Sequence, residues 1–270
     1  MEVNGNRSLV TGLVVVTILA LAALCTPWLT QRDPILPASD SFGEPFPPQR
    51  AFPCGTDELG RDVCVRILFA GRVSLGIAVV ATAIAMGLGG LVGGVAGYFG
   101  GMADAILMRC TEVFLAIPVL LLAIALAALF EPSVFLLFAV IGVVGWAGVA
   151  RAVRAEVSSL RTREFVLAAK AMGASDAWVL WRHILPSLRA TLVGLAAVTA
   201  SQALLIDAGL SFIGLGVPPP TPSWGRMLSE SQAYYRVAPW LMFFPGAALT
   251  LAVLGFQLIG SGVLRSTKKR

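Results

Sequence analysis

Six apolar runs, residues 9–29, 73–99, 113–130, 134–149, 192–212 and 240–263, constrain this chain more than anything else in it. Each is long enough for an α-helix to cross about 30 Å of hydrocarbon, the fourth only just. A bilayer interior has no water to satisfy backbone N–H and C=O groups, so a spanning segment must be a helix or a strand of a closed barrel. Nothing in these runs alternates with the period of two that a barrel strand requires. With 57% hydrophobic and 13% charged residues, the expected fold class is an all-α integral membrane protein with six transmembrane helices.

Lysine and arginine set the orientation. With both termini inside, cytoplasmic segments hold Arg7, Arg109, the cations from Arg151 to Arg189, and Arg265, Lys268, Lys269 and Arg270, thirteen of 20 in all. That asymmetry predicts an N-in, C-in topology and accounts for the net charge of +5 without nucleic acid. The first run follows Arg7 and has small residues at Ala20 and Ala22, as a cleavable signal peptide does. Removing it would leave an odd number of spans and put the basic loops outside, and Leu24 before Cys25 does not suit a lipoprotein cleavage site. Retention is the expectation.

Glycines four apart in the second run, Gly89 with Gly93, Gly90 with Gly94 and Gly93 with Gly97, predict close approach of a neighbouring helix. Pro118 and Pro245 fall inside the third and sixth runs, where each removes a backbone hydrogen bond and is expected to bend its helix.

Between the fourth and fifth runs lies a basic insert that includes LAAKAMGASDAWVLWRHILP, residues 167–186. Phe165, Ala168, Ala169 and Met172 recur at i, i+3, i+4 and i+7, the apolar face of a short helix that Gly173 is placed to end. Ser175 is an N-cap for a second helix, in which Ala177, Leu180, Trp181 and Ile184 repeat the spacing and Pro186 sets the limit. Two amphipathic helices outside the membrane fit a docking element. On spacing alone they fit equally well two interfacial helices on lipid headgroups, which basic flanks and Trp178 also suit.

In the insert, Ala168, Ala169, Gly173, Leu185 and Pro186 resemble the EAA loop of importer permeases driven by ATP-binding cassette proteins, the loop that plugs into a groove of the ATPase. Leu167 departs from the family's typical Glu, so no ion-pair role is carried over to it. Outside the loop, Gly55-Thr56-Asp57-Glu58-Leu59-Gly60-Arg61-Asp62, Gly97-Tyr98-Phe99-Gly100-Gly101, Leu210-Ser211-Phe212-Ile213-Gly214-Leu215-Gly216 and Pro222-Ser223-Trp224-Gly225 resemble the second permease of dipeptide, oligopeptide and nickel importers. The likeness runs from about residue 52 to 262. It implies a type I importer permease fold in a bacterial inner membrane, divided into an N-terminal helix and outer loop (1–71), a core (72–265) with its coupling loop at 163–187, and a basic tail (266–270). It also implies four kinds of contact: a second homologous permease, two ATPase subunits, an extracytoplasmic solute-binding protein, and lipid. The residues expected to meet the ATPase are Glu164, Phe165, Ala168, Ala169, Met172, Gly173, Ala174, Ser175, Asp176, Leu185 and Pro186.

This chain has no G-x-x-x-x-G-K-S/T loop, and none of Lys170, Lys268 and Lys269 follows a glycine. No cofactor is expected on it, and ATP and magnesium belong to the partner subunits. The outer loop, residues 30–72, is proline-rich in its first half; Thr56 is then expected to cap a short helix bearing Asp57 and Glu58, with Gly60, Arg61 and Asp62 following. Asp57, Glu58 and Asp62 suggest metal ligands, but an oxygen cage needs more ligands and a turn glycine, so capping and ion pairing are preferred. Cys54 and Cys64 share the oxidising side, where a pairing is open to them and spacing alone decides nothing.

Asp207 is the one acid deep inside an apolar run, which makes it the first candidate for the translocation path or gate; Gln202, one or two turns earlier, is the second. The alternative for Asp207 is a structural hydrogen bond to a neighbouring helix. Lone His183 is a contact residue. An ion-coupled secondary transporter would show inverted repeats and more intramembrane ionisable groups. A membrane metalloprotease needs His-Glu-x-x-His, which one histidine cannot supply. Peptides are the default cargo. The short N-terminal tail, Leu167, and Ala208-Gly209 before Leu210 lean instead toward nickel or another metal chelate.

Overall fold

The computed structural model describes residues 5–39 and 43–268, so Lys269 and Arg270 of the expected basic tail lie outside the described residues. Among these residues eleven α-helices follow one another: α1 (Gly5–Leu24), α2 (Thr26–Leu29), α3 (Val63–Phe99), α4 (Gly101–Ala116), α5 (Val119–Ala127), α6 (Val134–Arg161), α7 (Glu164–Ala171), α8 (Asp176–Val179), α9 (Leu185–Phe212), α10 (Trp224–Glu230) and α11 (Trp240–Lys268). Two isolated bridges, Gln49 with Phe52 and Thr56 with Asp62, are the extended pairing seen among the described residues. Among the described residues five helices are long and apolar enough to cross a membrane, and α4 with α5 makes a sixth span if that bent pair is taken as one.

Two expected helix limits move. Instead of starting with its apolar run at residue 73, α3 begins at Val63 and runs unbroken across the 71/72 division between outer loop and core. Asp62 causes the early start: its Oδ1 accepts from the backbone N–H groups of Cys64 and Val65 at 2.9 and 3.3 Å, two donors that would otherwise be orphaned. Pro186 does not end the second insert helix. A π-turn at Leu180–Ile184 joins α8 to α9, and the continuous helix 176–212 enters the fifth span directly. With no N–H, Pro186 cannot bond the carbonyl of Arg182, and the wider turn takes up that register fault.

The two intramembrane prolines differ. At Pro118 the chain breaks, and α4 and α5 meet at 84°. Ile117 just before it is extended at φ −91° and ψ 128°, as steric conflict with a following proline ring dictates. Pro245, in contrast, sits inside a continuous α11.

The tightest packing joins α3 to α6. A Cβ at Gly93 would lie 2.3 Å from the carbonyl oxygen of Ala150, and at Gly89 2.5 Å from that of Trp146, so only glycine permits this approach. Gly97 likewise abuts the Arg154 carbonyl, whereas Gly90 and Gly94 face open space, so two of the three glycine pairs mark the contact and the third does not. Three apolar clusters fill the bundle. One centres on Val63, Ala70, Leu204, Trp224 and Leu241, a second on Ile77, Leu137, Ile141 and Leu210, and a third on Tyr98, Val153, Val157, Val166, Val179, Ile184 and Leu188. Trp224 anchors α10: its indole N–H donates to the Ile67 carbonyl and its backbone N–H to Ser74 Oγ, both at 3.0 Å.

Candidate functional site

The insert is two-faced. Val166 and Ala169 of α7, with Val179 and Ile184 beyond it, are buried against the ends of α3, α6 and α9. Of the face read from the spacing, Phe165, Ala168 and Met172 lie exposed, with Met172 82% accessible, while Ala169 is buried; in the second helix Ala177 and Trp181 are exposed but Ile184 is buried. The spacing therefore mixed the two surfaces of α7, whose inward one is carried by Val166 and Ala169. Between the helices Gly173 takes φ +85°, and Ser175 Oγ accepts from the Trp178 backbone N–H at 3.3 Å, both as expected. Residues Ala169, Met172, Gly173, Ala174, Ser175 and Trp178 line an open hollow of about 490 Å³ at this turn. Beside it, the His183 ring packs 5.0 Å from Trp178 and 5.7 Å from Phe165. Glu164 and Asp176 open α7 and α8, favourable for acids at helix N-termini, while Leu185 and Pro186 are exposed at the start of α9.

One residue under the insert had no role in the sequence reading. Tyr98, at the C-terminal end of α3, is only 3% exposed, and its hydroxyl donates to Asp176 Oδ1 at 2.6 Å. Lys170 reaches the same oxygen at 3.1 Å and sits 4.8 Å above the Tyr98 ring; the bond to Asp176 holds its ammonium pKa above the usual lysine value. From the last turn of α6, Arg161 Nη1 donates to the Tyr98 carbonyl at 2.8 Å. The sequence marked it only as part of the Gly97-Tyr98-Phe99-Gly100-Gly101 motif, a polar side chain ending an otherwise apolar run.

On another side of the bundle, a cleft of about 400 Å³ opens where α3, α4, α5, α6 and α9 meet at the Pro118 elbow. Its wall is apolar except for Thr199 and Gln202. Asp207 does not share it. Five residues on, about 140° around the helix, it is 1% exposed, and neither carboxylate oxygen has a hydrogen-bond partner. The Ser211 hydroxyl one turn later is likewise buried and unpartnered. The two path candidates thus separate, Gln202 to the cleft and Asp207 to the interior.

In the outer loop, Thr56 caps no helix. Its hydroxyl accepts from the Phe46 backbone N–H at 2.8 Å, and residues 57–61 form a turn stapled by Asp57. Asp57 Oδ1 accepts from the backbone N–H groups of Leu59 and Arg61, and Oδ2 takes Arg61 Nε at 2.7 Å; Gly60, at φ +72°, lets the turn close. This local pattern defeats a helix because the side chain satisfies the same donors a first turn would orphan. Arg66, 1% exposed, lies between Asp57 at 3.4 Å and Glu230 at 2.9 Å, Arg61 reaches Glu58 at 3.4 Å, and Arg226 holds Glu230 at 2.7 Å. Asp62 pairs with Arg32. The acids considered as metal ligands are thus occupied by arginines. Burial pushes the Glu58 carboxyl above the usual range despite that pairing. Cys54 and Cys64 are joined in a disulfide that closes this turn.

Residues 89–270 match the family described as binding-protein-dependent transport system inner membrane component. Over 97% of its length the chain is 37% identical to the dipeptide transport system permease protein DppC of Alkalihalophilus pseudofirmus, covering 86% of it. It is 31% identical to the oligopeptide transport system permease protein OppC of Bacillus subtilis, across 97% of this chain and 86% of that one. A probable D,D-dipeptide transport system permease protein, DdpC of Escherichia coli, is 37% identical over 96% of this chain and 87% of its own. Among solved structures, a chain of the inward-facing MetNI methionine ABC transporter superposes with a TM-score of 0.61 at 19% identity, spanning 72% of this chain and 92% of that one, a likeness of fold.

Proposed function

This chain belongs to the binding-protein-dependent transport system inner membrane component family, and from that premise we propose that it forms half of the transmembrane path of an ATP-driven importer of small peptides. The observation that supports coupling to an ATPase is the two-faced insert. One apolar face is consumed by the chain's own core, yet Phe165, Met172, Trp178 and Trp181 remain exposed, Met172 and Trp178 at the rim of the hollow, more than an isolated subunit would leave in water. Since the chain has no phosphate-cradling loop, ATP and magnesium are handled by the two ATPases, and a solute-binding protein delivers cargo from outside.

In this reading Glu164, Phe165, Ala168, Met172 and the Gly173–Asp176 turn enter the ATPase groove, and Leu185 and Pro186 pass its movement to α9. Ala169 supports them from beneath. The cleft beside Gln202 is this subunit's share of the path, completed by the second permease, and Asp207 acts behind the wall. Both termini lie in the cytoplasm. Peptide cargo rests on the relatives, whose names are those of dipeptide and oligopeptide systems.

The test is Met172→Arg, which places a charge on the exposed rim without touching the core. The variant is expected to remain folded and bound to its permease partner while losing both ATPases on purification. Full retention of the ATPases and of peptide uptake would remove the insert from the coupling interface.

A further inference from the structure

We propose that Tyr98 is the positioning residue that gears α3 to the cytoplasmic insert, through the hydrogen bond of its hydroxyl to Asp176; this rests on the docking of the insert to an ATPase. The insert is covalently continuous with α6 and α9 only. α3 meets it in space, and its movement with the insert depends on what joins them there. Packing of Tyr98 among Val153, Val157, Val166, Val179, Ile184 and Leu188 is apolar and non-directional, and permits one surface to slip over the other. The polar contacts fix the register. Tyr98 has one hydroxyl proton, and Asp176 Oδ1 receives it at 2.6 Å at the start of α8. Lys170, from α7, pairs with that oxygen at 3.1 Å and lies over the ring at 4.8 Å. Arg161, closing α6, binds the Tyr98 carbonyl at 2.8 Å. Four helices, α3, α6, α7 and α8, therefore converge on one side chain and its own peptide group.

The charged partners are poorly placed to act as stability elements. The Asp176 and Lys170 side chains are 56% and 40% exposed, where ion pairs add little to folding. The ring, in contrast, is buried, so Tyr98→Phe keeps the packing and removes only the register bond. A rotation of the insert would then reach α6 and α9 along the chain but would no longer draw the end of α3 with it.

Spin labels report this without a known cargo. In the complete complex, with Cys25 and Cys110 replaced by serine, labels at Gly94→Cys on the open face of α3 and Arg163→Cys at the start of α7 give an inter-label distance without nucleotide and with vanadate-trapped ADP. In the parent complex the distance is expected to hold across the two states. In Tyr98→Phe it is expected to shift between them on the scale of a helical turn, about 5 Å, with both ATPases bound and ATP hydrolysis retained. Identical distances in parent and Tyr98→Phe complexes overturn the proposal. Failure of the ATPases to accompany even the parent chain overturns the docking reading, and the gearing with it.

Discussion

Arg66 Nη2 donates to Glu230 Oε2 at 2.9 Å, joining the first turn of α3 to the end of α10 across 164 positions of sequence. The guanidinium is almost wholly buried, and Asp57 flanks it on the other side at 3.4 Å. Removing one partner of a buried ion pair leaves the other charge desolvated. Glu230→Ala is therefore expected to lower the unfolding free energy of the detergent-solubilised chain by about 3 kcal/mol, read from denaturant titration of tryptophan fluorescence. A change within error would show that Arg66 is satisfied by Asp57 alone.

Glu58 should behave oppositely to Glu230. Burial raises its pKa above the ordinary 4.5, so the folded state holds its proton more tightly than the unfolded state does. Between 4.5 and the raised folded value, this group's contribution to stability grows as pH falls, and at neutral pH the buried carboxylate works against folding. Glu58→Gln is expected to leave Tm at pH 7 unchanged or higher and to flatten the part of the pH profile just above 4.5. A marked loss of Tm at pH 7 would mean that the Arg61 contact outweighs burial.

The Cys54–Cys64 disulfide closes a ten-residue separation around the Asp57 turn. Loop-closure entropy for a ring of this size amounts to about 3 kcal/mol. Paired serine substitutions should expose residues 54–64 to limited proteolysis, and intact protein digested without reductant should yield the two cysteine peptides linked. Free thiols at both positions would contradict the pairing.

Neighbouring glycines give a sharp contrast. Gly93→Ala drives a Cβ into the Ala150 carbonyl, and overpacking of this kind costs about 1–3 kcal/mol. Gly94→Ala meets nothing within 4 Å, and alanine is the better helix former by about 1 kcal/mol. Thermal unfolding of the two variants should separate them clearly, with Gly94→Ala at or above the parent. Equal losses would place the α3–α6 contact elsewhere.

The legible parts of this chain were those written locally. Apolar length announced the spans, and Gly173 and Ser175 announced the insert's turn, because left-handed backbone and N-caps are decided within a few residues. Family membership and the permease reading followed from motifs in order, and the relatives support both. What stayed hidden was set by distant partners. Residues 63–72 were read as loop because the apolar run begins only at residue 73, whereas in the fold Arg66 is carried inside α3 against Glu230, which lies far along the sequence. The faces of α7 were not separated, Ala169 being grouped with Phe165, Ala168 and Met172 and Val166 left out, because apolar residues lie on both sides and only the arrival of α3 and α6 decides which is covered. Pro118 and Pro245 look alike in sequence, yet only the first breaks its helix.

The unbroken helix from Asp176 to Phe212 has a mechanical corollary. At 1.5 Å per residue, its 37 residues make a strut of about 55 Å. Its N-terminal end belongs to the insert, and its C-terminal half packs against α10 at the opposite end of the bundle, with Gly225 against Ala208 and Ser211. A 5° tilt at one end displaces the other by roughly 5 Å over that length. With no joint of irregular chain between them, the two surfaces of the membrane cannot keep separate time: what is pushed below is felt above in the same stroke.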